Sequence, residues 1–148
     1  MQLKGTILIL LEEYQSRSEQ DTAAFAEKLA RLLKSGDVAL LEGSLGSGKT
    51  FLVKAFCRYI KTEDEASSPS FAIIQQYKGK QPVNHMDFYR IYDIRELDNL
   101  GWEEYLYHNA VTFIEWPQII EDRLDVFYKI KISGNGKNRD ITLYKTEH

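Results

Sequence analysis

Apolar residues run through this chain in two alternating rhythms, short continuous or every-other-residue runs and longer stretches at helical spacing. The run Ile7 to Leu11 predicts a first strand, followed by a polar turn. Ser18 with Asp21 three residues on has the form of a capping box and announces a helix. In that helix Phe25, Leu29, Leu32 and Leu33 make one apolar face before Gly36 ends it. Val38 to Leu41 is a continuous apolar run between turn residues, which suits a strand buried on both faces of a sheet. After a glycine-rich stretch, Leu52, Val53, Phe56 and Ile60 return to helical spacing.

Ser67 to Ser70 reads as a loop, and Phe71 to Tyr77 with Val83 to Asp87 reads as a hairpin joined through Lys78-Gly79-Lys80. A helical stretch rich in acidic and aromatic residues, Ile94 to Tyr107, leads to a second buried strand, Val111 to Ile114, that ends in Glu115. Val126, Tyr128, Ile130 and Ile132 then share a period of two, and Gly134-Asn135-Gly136 offers a turn into Ile141 to Tyr144. The pattern predicts an α/β fold with a central, mainly parallel sheet flanked by helices and extended by antiparallel strands. No repeat or linker interrupts it, so residues 1–148 are expected to form a single domain.

Composition narrows the possibilities. At 148 residues, with 43% hydrophobic and 28% charged residues, the chain has the make-up of one globular domain. Its net charge of −3 lacks the positive field that tracks a phosphate backbone, which disfavours stand-alone binding of RNA or DNA. Cys57 is the only cysteine, so neither an intrachain disulfide nor a cysteine metal cluster can form. It falls on the apolar face of the second helix and is expected to be a buried core residue. The five-residue run Ile7 to Leu11 is too short for a membrane span, and the expected compartment is a reducing cytoplasm with no membrane association.

The chemistry lies in Gly43-Ser44-Leu45-Gly46-Ser47-Gly48-Lys49-Thr50, which matches G-x-x-x-x-G-K-S/T at every fixed position and joins a strand to a helix. Glycines let the backbone curl until successive amides point at phosphate oxygens, and the following helix adds its free N-terminal donors and positive dipole end. Lys49 supplies a mobile cation and Thr50 a hydroxyl for magnesium. This predicts a P-loop NTPase-like fold that binds a nucleoside triphosphate with Mg2+. Such chemistry also needs a carboxylate at the end of a neighbouring strand. Glu115 meets that need and Asp87 competes for it, while each also reads as an ordinary solvated strand end. His85 reads equally as a catalytic or a hydrogen-bonded structural histidine.

These stretches together resemble the TsaE family, also called YjeE, small P-loop ATPases of the pathway that installs threonylcarbamoyladenosine (t6A) on tRNA. Besides the P-loop, the resemblance rests on Ser68-Pro69-Ser70-Phe71, His85-Met86-Asp87-Phe88-Tyr89-Arg90, Gly101-Trp102-Glu103-Glu104-Tyr105 and Ile114-Glu115-Trp116-Pro117, in one order along nearly the whole chain. The family usually reads Ser-Pro-Thr-Phe where Ser70 stands here, so a hydroxyl is kept and a methyl lost. The resemblance implies slow ATP hydrolysis by the protein alone and action with TsaB-like and TsaD-like partners, which would hold the tRNA. Carried over by position, Lys49 binds phosphate, Thr50 and Glu115 coordinate magnesium directly or through water, and Asp87 assists the metal or the attacking water. Ser67 to Phe71 would act as a switch near the γ-phosphate, and Thr22 would lie near the adenine or ribose.

Trp116 reads either as a wall beside the nucleotide or partner or, more simply, as core. Tyr89 and Arg90 read as phosphoryl-contacting or as structural residues. Two rival functions use the same motif: a small-molecule kinase, and a nucleotide-dependent binding switch with negligible hydrolysis.

Overall fold

A computed structural model describes residues 6–64, 66 and 72–147. The expected switch Ser67 to Phe71, with Ser70, lies outside the described residues.

Among the described residues, seven strands make one sheet in the order β1-β7-β6-β2-β5-β4-β3. Its centre is parallel: β6 (Tyr128–Asn135), β2 (Val38–Glu42), β5 (Val111–Glu115) and β4 (Val83–Asp87) run the same way. Antiparallel β7 (Asn138–Thr146) and β1 (Leu8–Ser16) extend one side, and antiparallel β3 (Ile74–Tyr77) extends the other. This is the mainly parallel α/β sheet that the apolar pattern predicts.

The continuous run in β2 is explained by burial on both faces. Ala39 and Leu41 pack with Phe25, Leu29, Leu52, Phe56 and Phe113 under helices α1 (Glu19–Leu32) and α2 (Lys49–Ile60). Val38 and Leu40 face the opposite layer, where Leu97, Trp102, Ile120, Leu124 and Phe127 cover Met86 and Ile114. Cys57 belongs to the first cluster, and burial pushes its thiol up to about 12. It is the inert core residue expected.

Several boundaries differ from the sequence reading, each for a local reason. β1 runs on to Ser16 because the supposed polar turn pairs with β7, with a bulge between Leu10 and Glu12. As an edge strand it leaves Ile9, Leu10 and Leu11 exposed. Ser18 caps α1 by accepting from Asp21 N at 3.0 Å, but the Asp21 carboxylate reaches Arg17 N at 2.9 Å instead of closing the box on Ser18. The helix stops at Leu32 with an extended Leu33, and Gly36 serves the turn beyond it. The stretch Ile94 to Tyr107 is not one helix: α3 (Ile94–Leu100) ends at Gly101, whose left-handed φ of 67° breaks it, and a 3-10 turn, Trp102–Tyr105, follows. Val126 lies outside β6 and is exposed. The β6–β7 turn is Gly136-Lys137, since Asn135 still pairs with Asn138.

Candidate functional site

The glycine-rich segment links the C-terminal end of β2 to the N-terminus of α2, the crevice position where ligands of open α/β sheets bind. Gly43 has no room for a side chain: a Cβ there would lie 2.6 Å from the Ile132 carbonyl oxygen and 2.4 Å from Ser47 Oγ. Gly46 (φ 77°) and Gly48 (φ 109°) adopt left-handed backbone that other residues take at a cost. Gly48 is also the N-cap of α2 and offers no side chain, so the first amides of that helix carry no side-chain cap. Ser47 Oγ is buried and, among the described residues, has no hydrogen-bond partner. The segment is thus a tight curl whose polar groups are only partly used within the protein.

Lys49 Nζ folds back onto the loop, donating to the carbonyls of Gly43 and of Ser44, the latter at 3.1 Å. It also lies 4.2 Å from the centre of the Trp116 ring. Burial lowers the pKa of this ammonium, opposed by the nearby Glu115 and Asp87 carboxylates. Thr50, in the first turn of α2, donates its hydroxyl to Glu115, with Oγ1 2.9 Å from Oε2 and 3.2 Å from Oε1. Glu115 is there because β5 lies directly beside β2, and Asp87 stands opposite Glu115 one strand further out. Burial is the largest influence raising the Asp87 pKa; the Tyr89 amide, which donates to Oδ1 at 2.9 Å, pulls it down, and Glu115 pushes it further up.

These groups open on a cleft of about 710 Å³. Leu45 to Thr50, Thr22, Asp87 and Glu115 all line it, so nearly every residue singled out from the sequence converges on one place. Gly43 and Ser44 stand behind the lining and hold Lys49. Thr22 is mostly buried, with Oγ1 2.6 Å from Ser16 Oγ. Trp116 proves to be a wall of the cleft and not core: it takes a left-handed backbone (φ 56°), and its ring lies 4.7 Å from that of half-exposed Tyr89. Arg90 is exposed and does not line the cleft.

Arg139 and Lys137, from the β6–β7 hairpin, were missed by sequence reasoning. Arg139 reaches across to donate to the Gly46 carbonyl at 3.2 Å. Only the pairing of β6 beside β2 brings that hairpin to the loop, and no local pattern announces it.

The donor set fits magnesium. A hydroxyl and one or two carboxylates, all hard oxygen ligands, are what this ion takes from a protein when substrate phosphates complete its shell. Among the described residues no cluster of three or more His, Cys, Asp or Glu side chains is gathered as a self-sufficient metal cage.

Known proteins resemble this chain over most of its length. Residues 16–141 match the family model for the threonylcarbamoyl adenosine biosynthesis protein TsaE. The chain is 34% identical to the TsaE protein of Treponema pallidum over 131 residues, covering 86% of this chain and 96% of that one. It is 32% identical to TsaE of Aquifex aeolicus over 139 residues, or 92% and 98% of the two chains. The crystal structure of Bacillus subtilis YdiB superposes with a TM-score of 0.71 at 29% identity, covering 96% of this chain and 88% of that chain. By matched length and identity, this chain belongs to the TsaE family of threonylcarbamoyl adenosine biosynthesis proteins.

Proposed function

We propose that this protein binds ATP with Mg2+ in the P-loop cleft and hydrolyses it slowly, supporting t6A modification of tRNA by acting on TsaB-like and TsaD-like partners in the cytoplasm. The observation that carries the reading is the bond from Thr50 to Glu115 at the uncapped start of α2, beside a lysine held over the same loop. It gathers a phosphate cradle, a cation and a hydroxyl–carboxylate pair within one cleft.

On this reading, Lys49 exchanges the carbonyls of Gly43 and Ser44 for phosphate oxygens, and the backbone amides of the loop and of α2 supply the remaining donors. Thr50 and Glu115, with Asp87 behind them, would hold magnesium. That ion supplies neutralisation of the charge on the transferred phosphoryl group. Asp87 and Glu115 line the same wall and orient the attacking water, while Trp116 and Tyr89 shield it. The acidic chain leaves the tRNA to its partners.

The test is ATP hydrolysis by the purified protein with magnesium, alone and then with the TsaB-like and TsaD-like proteins of the same cell. Slow turnover that rises with the partners is expected. ATP binding with turnover indifferent to the partners would refute the partner coupling, and turnover dependent on a small metabolite would replace it with a kinase reading.

A further inference from the structure

Glu115 is held by more than Thr50. His85 on β4 is completely buried, and its Nε2 lies 2.6 Å from Glu115 Oε2. Its other ring nitrogen, Nδ1, lies 3.1 Å from the Tyr77 hydroxyl, which is 2.6 Å from Gln75 Oε1 on the edge strand β3. A chain of side chains therefore crosses three strands, from Gln75 through Tyr77, His85 and Glu115 to Thr50 at the start of α2. An ionised carboxylate only accepts hydrogen bonds, so Nε2 is the nitrogen that carries the proton toward Glu115.

We propose that His85 is a positioning residue for the ATPase reaction, pinning Glu115 Oε2 so that Oε1 is the oxygen presented to the cleft. The inference rests on the ATPase reading above. Its physical basis is the number of donors around a buried carboxylate. Glu115 is 3% exposed, and among the described residues the side-chain donors bonded to it are the Thr50 hydroxyl and His85. Once Thr50 turns its hydroxyl oxygen to a metal, His85 is the remaining one of the two. Without it the carboxylate is free to rotate about its last torsion, and neither oxygen has a fixed direction. Partners that orient a metal-binding side chain in this way typically cost roughly 10- to 100-fold in metal affinity or activity when removed.

Two substitutions separate positioning from simple packing, because Gln and Asn mimic different ring nitrogens. In His85→Gln the amide nitrogen falls near the place of Nε2 and keeps a donor for Glu115. In His85→Asn the shorter side chain keeps a polar group near Tyr77 but cannot reach Glu115. The full-length variants are compared by Mg-ATP turnover, by magnesium titration of the binding of a non-hydrolysable ATP analogue, and by thermal melting. His85→Asn is expected to lower kcat roughly 10- to 100-fold with little change in KM. It should also raise the magnesium concentration needed for tight analogue binding, with magnesium-free binding unaltered, and His85→Gln should recover most of both losses.

If the Asn and Gln variants lose function equally and in step with their melting temperatures, His85 is a packing residue and the proposal falls. An unchanged magnesium requirement in His85→Asn also overturns it. Should His85→Asn fail to fold, Tyr77→Phe provides the second reading, since it loosens the far side of the ring while leaving the His85–Glu115 contact in place, and predicts a smaller loss of the same kind; no loss there overturns the proposal. A wild-type protein with no Mg-ATP turnover would sink the ATPase reading by itself, while the magnesium titration would still decide the role of His85.

Discussion

Replacing Glu115 in two ways separates its chemistry from its place in the fold. Glu115→Ala removes the acceptor for His85 Nε2 in a position where His85 is completely buried. A buried donor left without a partner costs about 1–3 kcal/mol. In a domain of this size each kcal/mol moves the melting temperature by about 2–4 °C, so Tm should fall by roughly 2–12 °C. Glu115→Gln has nearly the same shape, and its amide oxygen accepts from His85 while its nitrogen donates to Thr50 Oγ1. Its stability should stay within about 1 kcal/mol of the parent. Both variants lose the carboxylate charge that faces the cleft, and on the proposed ATPase function both should lose turnover by a factor on the order of 10² or more. Both should still bind ATP, because the loop amides and Lys49 are untouched. The assays are a coupled phosphate-release measurement, calorimetric ATP binding and thermal melting. Full turnover in Glu115→Gln would remove the carboxylate from the mechanism, and an Ala variant as stable as the parent would refute the account of its buried contacts.

Lys49→Ala should weaken triphosphate binding roughly 10- to 150-fold, the equivalent of losing a charge-assisted hydrogen bond of about 1.5–3 kcal/mol, with the fold intact; calorimetry reads it and unchanged affinity would refute it. Asp87→Asn should lower turnover yet raise Tm near neutral pH. Because the Asp87 pKa is raised mainly by burial, the folded protein binds that proton more tightly than the unfolded chain. The stability of the parent at this site is therefore greatest at low pH and declines as pH rises from the ordinary carboxylate value through the raised one. The Asn variant should lack that decline, and melting curves at several pH values compare them. Gly43→Ala should cost about 1–3 kcal/mol, because its Cβ meets the Ile132 carbonyl oxygen as well as Ser47 Oγ and backbone yields little; it should lower Tm and nucleotide affinity together.

Most of the site was legible because its chemistry is local. The curl of residues 43–48, the cation at 49 and the hydroxyl at 50 depend on glycine conformations and on a helix N-terminus that neighbouring residues create. The strands were legible where burial on both faces writes a continuous run, as in β2 and β5. Edge positions were less so: β1 extends through Glu12, Glu13 and Gln15 because β7 supplies its hydrogen bonds, and pairing with another strand leaves no mark on the polar residues that accept it. The break in α3 could have been read from Gly101, which sits where a left-handed residue ends a helix.

By itself, the sequence determined the glycine-rich loop between a strand and a helix, the layer of helices, the two-faced burial of the central strands and two candidate carboxylates. It could not say which groups meet Asp87 and Glu115, nor choose between a wall and a core position for Trp116, because those depend on which strands become neighbours. The tertiary structure placed them: β5 beside β2 brings Glu115 within reach of Thr50, β4 next to it adds Asp87 and the buried His85, and β6 carries the hairpin with Arg139 to the loop. Hydrogen bonds between backbones far apart in the chain set that order, and they carry no signature in the residues they join.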